Sequence, residues 1–148
     1  MKRMMFALSV MLLSASVFSQ NAAAKKAEDV VKFKETVFDF GKIKQGVPVT
    51  HEFAFTNESD KPVVVESATA SCGCTTPSWP QTPIAQGKAD KITAGFNAAA
   101  PGAFTKQITV KLAGVDIPVQ VTIKGEVLNA DEFSKLGKDK TAKAAPAK

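Results

Sequence analysis

Residues 117–124 read Ile-Pro-Val-Gln-Val-Thr-Ile-Lys, and apolar side chains alternate there with polar ones or proline. Because successive side chains of a β-strand point to opposite faces of a sheet, this alternation predicts a strand with one buried face. The same period of two recurs at 49–56, 92–96 and 107–112, and residues 63–65 form a short run of strongly strand-forming valines. The pattern therefore indicates a protein built from strands rather than from helices.

Turn-forming residues separate these segments at short intervals. They lie at Gly41, Gly46, 57–62, 86–87, 101–102 and Gly114. The stretch from Val30 to Leu128, about 100 residues, is long enough for one domain with a hydrophobic core. Short strands with one apolar face must bury it against a second sheet. We therefore expect an all-β fold, a single antiparallel β-sandwich of immunoglobulin-like type with about seven strands.

The first 24 residues have the features of a secretion signal. Residues 1–3 carry two positive charges, and residues 4–18 form an apolar run too short to span a bilayer. Small residues allow cleavage after Ser19 or after Ala24, and no cysteine nearby would carry a lipid anchor. No later apolar run is long enough for a membrane span. We expect an exported protein, periplasmic or secreted, in a compartment where disulfides persist.

Three segments follow: a signal peptide at 1–24, the sandwich at 25–128, and a Lys/Ala-rich tail at 129–148. The tail is expected to be disordered, or at most transiently helical around 131–136. The chain's net charge of +5 falls to about +3 when Lys2 and Arg3 leave with the signal. No basic face interleaved with aromatic side chains is evident, so nucleic-acid binding is not expected.

Cys72 and Cys74, within Ser-Cys-Gly-Cys-Thr, are the only cysteines in the chain. They are expected just after a strand, at the start of a long loop that reaches Gly87. Gly73 would permit the backbone angles that bring the two residues within disulfide range. So small a closed loop gives only about 1.5 kcal/mol in the chain-entropy model. A disulfide that shapes the loop is the preferred interpretation, and thiol–disulfide exchange or metal binding are the alternatives.

Neither alternative has support beyond the two thiols. No Lys, Arg or His lies within ten residues of the cysteines to lower a thiol pKa. Two thiolates fill half of a tetrahedral zinc shell, whereas Cu(I) could accept two alone. His51, the only histidine, shares the apolar phase of its strand, which favours a packed side chain over a ligand. No cofactor or metal is expected, with Cu(I) at Cys72 and Cys74 as the low-probability alternative.

Trp79 lies between prolines in the predicted loop and is a candidate anchor for a binding partner. The preferred interpretation is that its ring covers the open end of the sandwich. The chain shows no Ser-His-Asp order, phosphate-binding glycine loop or paired carboxylates on one strand face. We therefore expect no catalytic residues, and a protein that is not an enzyme.

Several short motifs occur in an order typical of one family. They are Phe38-Asp39-Phe40-Gly41-Lys42-Ile43, Phe53-Ala54-Phe55-Thr56-Asn57, Pro62, Ser71-Cys72-Gly73-Cys74-Thr75, Pro77, Trp79, Pro83-Ile84 and Gly87. From Val37 to Val127 the chain resembles the bacterial family catalogued as domain of unknown function 1573, common in exported proteins of Bacteroidetes. The resemblance implies an immunoglobulin-like sandwich akin to the sperm-protein and cilium-associated sandwich domains. It implies no activity.

The sequence thus predicts an exported, non-enzymatic β-sandwich that acts as a protein-binding or envelope-assembly module. Its partner would be an unidentified envelope protein, bound at an edge strand or at the loop that holds Cys72, Cys74 and Trp79. The alternative function is thiol–disulfide exchange or Cu(I) binding through the two cysteines.

Overall fold

The computed structural model describes residues 24–142, and within them the chain forms eight strands and one helix. The strands are β1 (Val31–Phe33), β2 (Val37–Lys44), β3 (Val49–Asn57), β4 (Val65–Ala70), β5 (Thr75–Ser78), β6 (Ala89–Phe96), β7 (Gly102–Leu112) and β8 (Val119–Leu128). Helix α1 spans Ala130–Ala142, and a 3-10 turn at Ala27–Asp29 leads into β1. The predicted signal peptide falls almost wholly outside the described residues.

The strands form two four-stranded sheets, ordered β1-β3-β6-β5 and β2-β8-β7-β4. Each strand contributes one face to the space between the sheets, where the apolar core lies. On β8, for example, Val119, Val121 and Ile123 are buried and the residues between them are not. The predicted all-β sandwich is confirmed.

One strand pair departs from the antiparallel arrangement. β2 pairs with β8 in parallel, aligning Val37 with Thr122 and Lys44 with Leu128. Residues 34–36 carry the chain from β1, at the edge of one sheet, to β2, at the edge of the other. Because this short connection passes from one sheet to the other, β2 can lie beside β8 in the parallel direction. A hairpin within one sheet joins only antiparallel strands.

The region expected to be one long loop contains a strand. Val63 forms only an isolated bridge with Ile84, and β4 begins at Val65. After the cysteines the chain pairs again as β5, antiparallel to β6. The cysteines therefore lie between two strands of different sheets, which places them at a crossover rather than at the start of a long loop.

The segment expected to be a disordered tail begins with α1. The Asn129 side chain accepts a hydrogen bond from the Glu132 N–H at 3.0 Å, and the Glu132 carboxylate accepts one from the Asn129 N–H at 3.2 Å. This reciprocal cap satisfies two backbone donors that would otherwise lack partners at the start of the helix. The helix extends beyond the transient turn expected at 131–136, and residues 143–148 lie outside the described range.

Candidate functional site

The two cysteines form a disulfide in the turn that joins β4 to β5, which we call the disulfide turn (residues 71–74). Their Cα atoms are 5.4 Å apart. The Thr75 N–H donates to the Cys72 carbonyl at 3.3 Å, and the Asn97 N–H donates to the Cys74 carbonyl at 3.1 Å. The turn is thus bonded to itself and to the residue that follows β6, so both sheets meet at this point.

Gly73 permits the disulfide without adopting a backbone conformation that favours glycine. Its φ angle lies outside the positive range that favours glycine, and an added Cβ would meet no atom within 4 Å. The turn therefore does not require glycine for conformational reasons.

Burial differs from one residue of the turn to the next. Cys74 is half-buried and packs against the core, and Thr75 is fully buried. The Cys72 sulfur lies 3.7 Å from Thr75 Oγ1. Because a disulfide sulfur carries no proton, the hydroxyl is the donor in this weak bond. The buried hydroxyl of Thr75 thus has its partner within the disulfide turn.

A shallow groove of about 480 Å³ lies between the edges of β4 and β5. We call it the β4–β5 groove. Its lining consists of small, uncharged or aromatic residues: Ala68, Thr69, Ala70, Cys72, Gly73, Thr75, Thr76, Pro77 and Trp79. The disulfide turn and Trp79 therefore lie on the same surface of the protein.

Trp79 immediately follows β5, is half-buried, and packs against the core. This placement agrees with a ring that covers the edge of the sandwich, although it leaves part of the ring facing the groove. A role in partner binding stays a prediction.

His51 lies apart from this groove. Its ring stacks on Phe38 with centroids 3.5 Å apart, and its Nε2 lies 2.9 Å from a Glu35 carboxylate oxygen. On β6, Ala94 stands between His51 and Pro77 in the sheet register, so two strand spacings separate His51 from β5. The histidine is packed among aromatic rings and is not near the sulfur atoms.

Within residues 24–142, no group of three or more His, Cys, Asp or Glu side chains is placed to hold a metal ion. A disulfide offers no thiolate, so binding of Cu(I) would require Cys72 and Cys74 to be reduced first. In the same range, no helix is long and apolar enough to cross a membrane.

The groove itself was not predicted from the sequence. Thr75 and Thr76 are β-branched and favour a strand, but Pro77 and the following Trp79-Pro80 pair conceal that signal. Asn57 was also missed, although it is a polar residue on the apolar phase of β3. Its position after Phe53 and Phe55 is the signal that could have marked it.

Comparison with solved structures shows what this fold resembles. The ASH/PapD-like domain 7 of human CEP192 matches with a TM-score of 0.61 and 10% identity, over 81% of this chain and 98% of that one. A Porphyromonas gingivalis protein of unknown function matches with a TM-score of 0.56 and 17% identity, over 74% and 51%. The Vibrio cholerae protease VesB matches with a TM-score of 0.54 and 15% identity, over 68% and 33%. At such identities the likeness shows the fold alone.

The strand order defines the class, an immunoglobulin-like β-sandwich, and these solved structures share that fold. Among curated proteins, none matches the chain in sequence. A family model does match, over residues 31–127, and the chain belongs to that family, described as Protein of unknown function (DUF1573). The resemblance read from the sequence motifs is confirmed.

Proposed function

We propose that this protein is an exported, non-enzymatic module that binds another protein of the cell envelope. The observation that carries the proposal is the β4–β5 groove, which is open and contains no charged residue in its lining. A half-buried tryptophan beside a depression is a common anchor for a protein partner. An uncharged groove of this size accommodates a stretch of polypeptide without burying an unpaired charge.

Two features support export. A disulfide between Cys72 and Cys74 fits an oxidising compartment, and the first 24 residues have the composition of a signal peptide. On this proposal the sandwich at 25–128 functions in the periplasm or outside the cell.

Site-specific photo-crosslinking tests the binding function. Thr76 is exposed and lines the groove, whereas Thr36 is exposed in the connection between β1 and β2, on the opposite side of the sandwich. Each threonine is replaced in turn by a photoreactive phenylalanine in cells that produce the full chain. We expect discrete protein adducts from position 76 and few from position 36. Equal labelling from both, or adducts from neither, would count against the proposal.

A second candidate, thiol–disulfide exchange or Cu(I) binding, is favoured by one observation. Both cysteines are half-buried rather than fully buried, and both border surface depressions. Alkylation of the native protein with and without reductant, followed by mass and metal analysis, tests it. A disulfide that resists mild reductant, in a protein that binds no copper after full reduction, would exclude this candidate.

A further inference from the structure

Two of the four sheet edges, those of β1 and β2, are protected against pairing with another strand. β1 has only three residues and carries Lys32, which is paired with Glu58 at 3.9 Å. β2 is interrupted by a bulge between Asp39 and Lys42, where the Gly41 N–H donates to the Asp39 carboxylate. Short length, charge and bulges are the usual means of blocking an edge. The other two edges, those of β4 and β5, border the groove.

The edge of β5 that faces away from β6 has backbone carbonyl acceptors but no free N–H donor. The Asn97 N–H bonds to the Cys74 carbonyl, and residues of an antiparallel strand face their neighbour alternately. The backbone hydrogen-bonding groups of Thr76 and Ser78 therefore point toward β6, while those of Thr75 and Pro77 point away from it, toward the groove. The Thr75 N–H is already bonded to Cys72, and proline has no N–H. An added strand would find only half of its hydrogen bonds at this edge.

The edge of β4 that faces away from β7 has both a backbone N–H donor and a carbonyl acceptor. The Ser71 N–H donates to the Gln107 carbonyl at 2.9 Å, and the register pairs Thr69 with Thr109. By the same alternation, the N–H and C=O of Ala70 point away from β7, and no turn or loop within residues 24–142 bonds to them. Ala68 is equivalent in register but is only 4% exposed, so the accessible end of this edge is at Ala70.

We infer that the β4 edge at Ala70 binds an extended, uncharged segment of the partner protein by strand addition. This deepens the proposed function and rests on it. An added strand would pair its backbone with Ala70 and lay one face of side chains in the groove, against Trp79 and the disulfide turn. Because the nine lining residues include no charge, a charged segment would lose hydration without gaining an ion pair. Small side chains at Ala68, Ala70 and Gly73 leave room for that segment.

The first test uses the unmodified protein and peptides selected against it from a random dodecapeptide display library. We expect selected peptides to be uncharged in the part that binds. Hydrogen exchange read by NMR should show the Ala70 amide exchanging freely in the unbound protein and becoming protected in the complex. The Thr69 amide, which faces β7, should be protected in both states. Selected peptides that leave the Ala70 amide unprotected, or a library that yields no binder, would overturn the inference.

The second test uses Ala70→Pro, with Ala70→Ser as its matched control. Proline removes the outward N–H and places its ring in the path of an added strand, but it breaks no bond to β7. Serine keeps the backbone N–H and has a side chain of similar size. We expect Ala70→Pro to weaken peptide binding by about tenfold or more, comparable to the loss of one or two hydrogen bonds, and Ala70→Ser to bind as the unmodified protein does. Thermal unfolding of both variants verifies that they fold.

The same substitution separates this inference from the proposed function. Loss of the position-76 adducts in the Ala70→Pro background would support strand addition. Persistence of those adducts would overturn it while leaving the binding function intact, and absence of adducts in every background would overturn both. A concentration-dependent dimer that Ala70→Pro abolishes would identify a second copy of the chain as the occupant and overturn the assignment to a partner segment. Sedimentation analysis detects that outcome.

Discussion

The two ends of the sandwich are held together in different ways. At the end where β3 finishes, the fully buried Asn57 side chain makes hydrogen bonds in four directions. Its amide donates to the carbonyls of Lys61 at 2.8 Å and Ile84 at 2.9 Å, and its oxygen accepts from the Ser59 N–H and hydroxyl. We call this the Asn57 end. Every polar group of the amide has a partner inside the fold.

At the opposite end, a covalent bond takes the place of a buried amide. The Cys72–Cys74 disulfide closes the turn between the sheets, and the aromatic rings of Phe96 and Phe104 stack nearby with centroids 4.1 Å apart. We call this the disulfide end. Here the backbone of Ala70 and part of the Trp79 ring remain open to a partner.

The difference separates stability from recognition. A buried amide whose partners lie in two loops stabilises the fold strongly, because its loss removes four hydrogen bonds at once. A disulfide across two residues restricts the unfolded chain very little. We therefore place most of the local stabilisation at the Asn57 end and the capacity to bind at the disulfide end.

The largest effect should come from Asn57→Ala. The substitution removes one of two hydrogen bonds to each of the carbonyls of Lys61 and Ile84 and leaves the Ser59 N–H without its acceptor. We expect it to lower the free energy of unfolding by about 2–4 kcal/mol. Asn97→Ala is the matched control at the disulfide end, because Asn97 is exposed and its side chain accepts one hydrogen bond from the Ala99 N–H at 3.2 Å. Urea unfolding followed by the fluorescence of Trp79, the only tryptophan, measures both. Equal losses for the two variants would remove the distinction between the ends.

A smaller effect is expected from Cys72→Ser combined with Cys74→Ser. The chain-entropy model limits the loss to about 1.5 kcal/mol, less than that of the single amide at the other end. Reduction of the disulfide in the unmodified protein should lower the urea midpoint as much as the double substitution does. That agreement would show that the loss of stability comes from the missing covalent bond and not from the serines. A double variant that fails to fold would reverse the assignment of stability to the Asn57 end.

The smallest effects separate two glycines of the disulfide end. A Cβ at Gly95 would lie 2.9 Å from Thr76 Oγ1, whereas one at Gly73 would meet nothing within 4 Å. We expect Gly95→Ala to cost about 1 kcal/mol, since the threonine must shift. Gly73→Ala should change stability by no more than about 0.5 kcal/mol in either direction. The same urea titration compares them, and a large loss from Gly73→Ala would show that the turn does depend on glycine.

The sequence predicted much of the fold, because a strand with one buried face shows a local alternation of apolar and polar residues. The apolar phases of Ile92 and Phe96, and of Ile108 and Val110, correctly marked strands whose buried faces the structure shows. The parallel pairing of β2 could not be predicted in this way, because the partner of an edge strand is set by the path between sheets. The sequence indicated at most a transient helix at 131–136, although Asn129 and Glu132 have the spacing of a reciprocal cap.

The candidate site was predictable in part. The proximity of Cys72 to Cys74 and a half-buried Trp79 follow from composition and spacing along the chain. The groove depends instead on β5, whose short strand contains Pro77, and on which backbone groups of β4 face outward. That second property follows from hydrogen-bond register with β7, which no periodicity of side chains reveals.

The parallel pairing of β2 with β8 has a mechanical consequence. Val37 lies at one end of this ladder and Leu128 at the other, so the chain enters and leaves the pair at opposite ends. Tension applied between Val37 and Leu128 therefore acts along these two strands. The hydrogen bonds of the ladder share that load in shear, and they must break together rather than one after another. This pair therefore resists tension along its strands more strongly than a ladder that opens from one end.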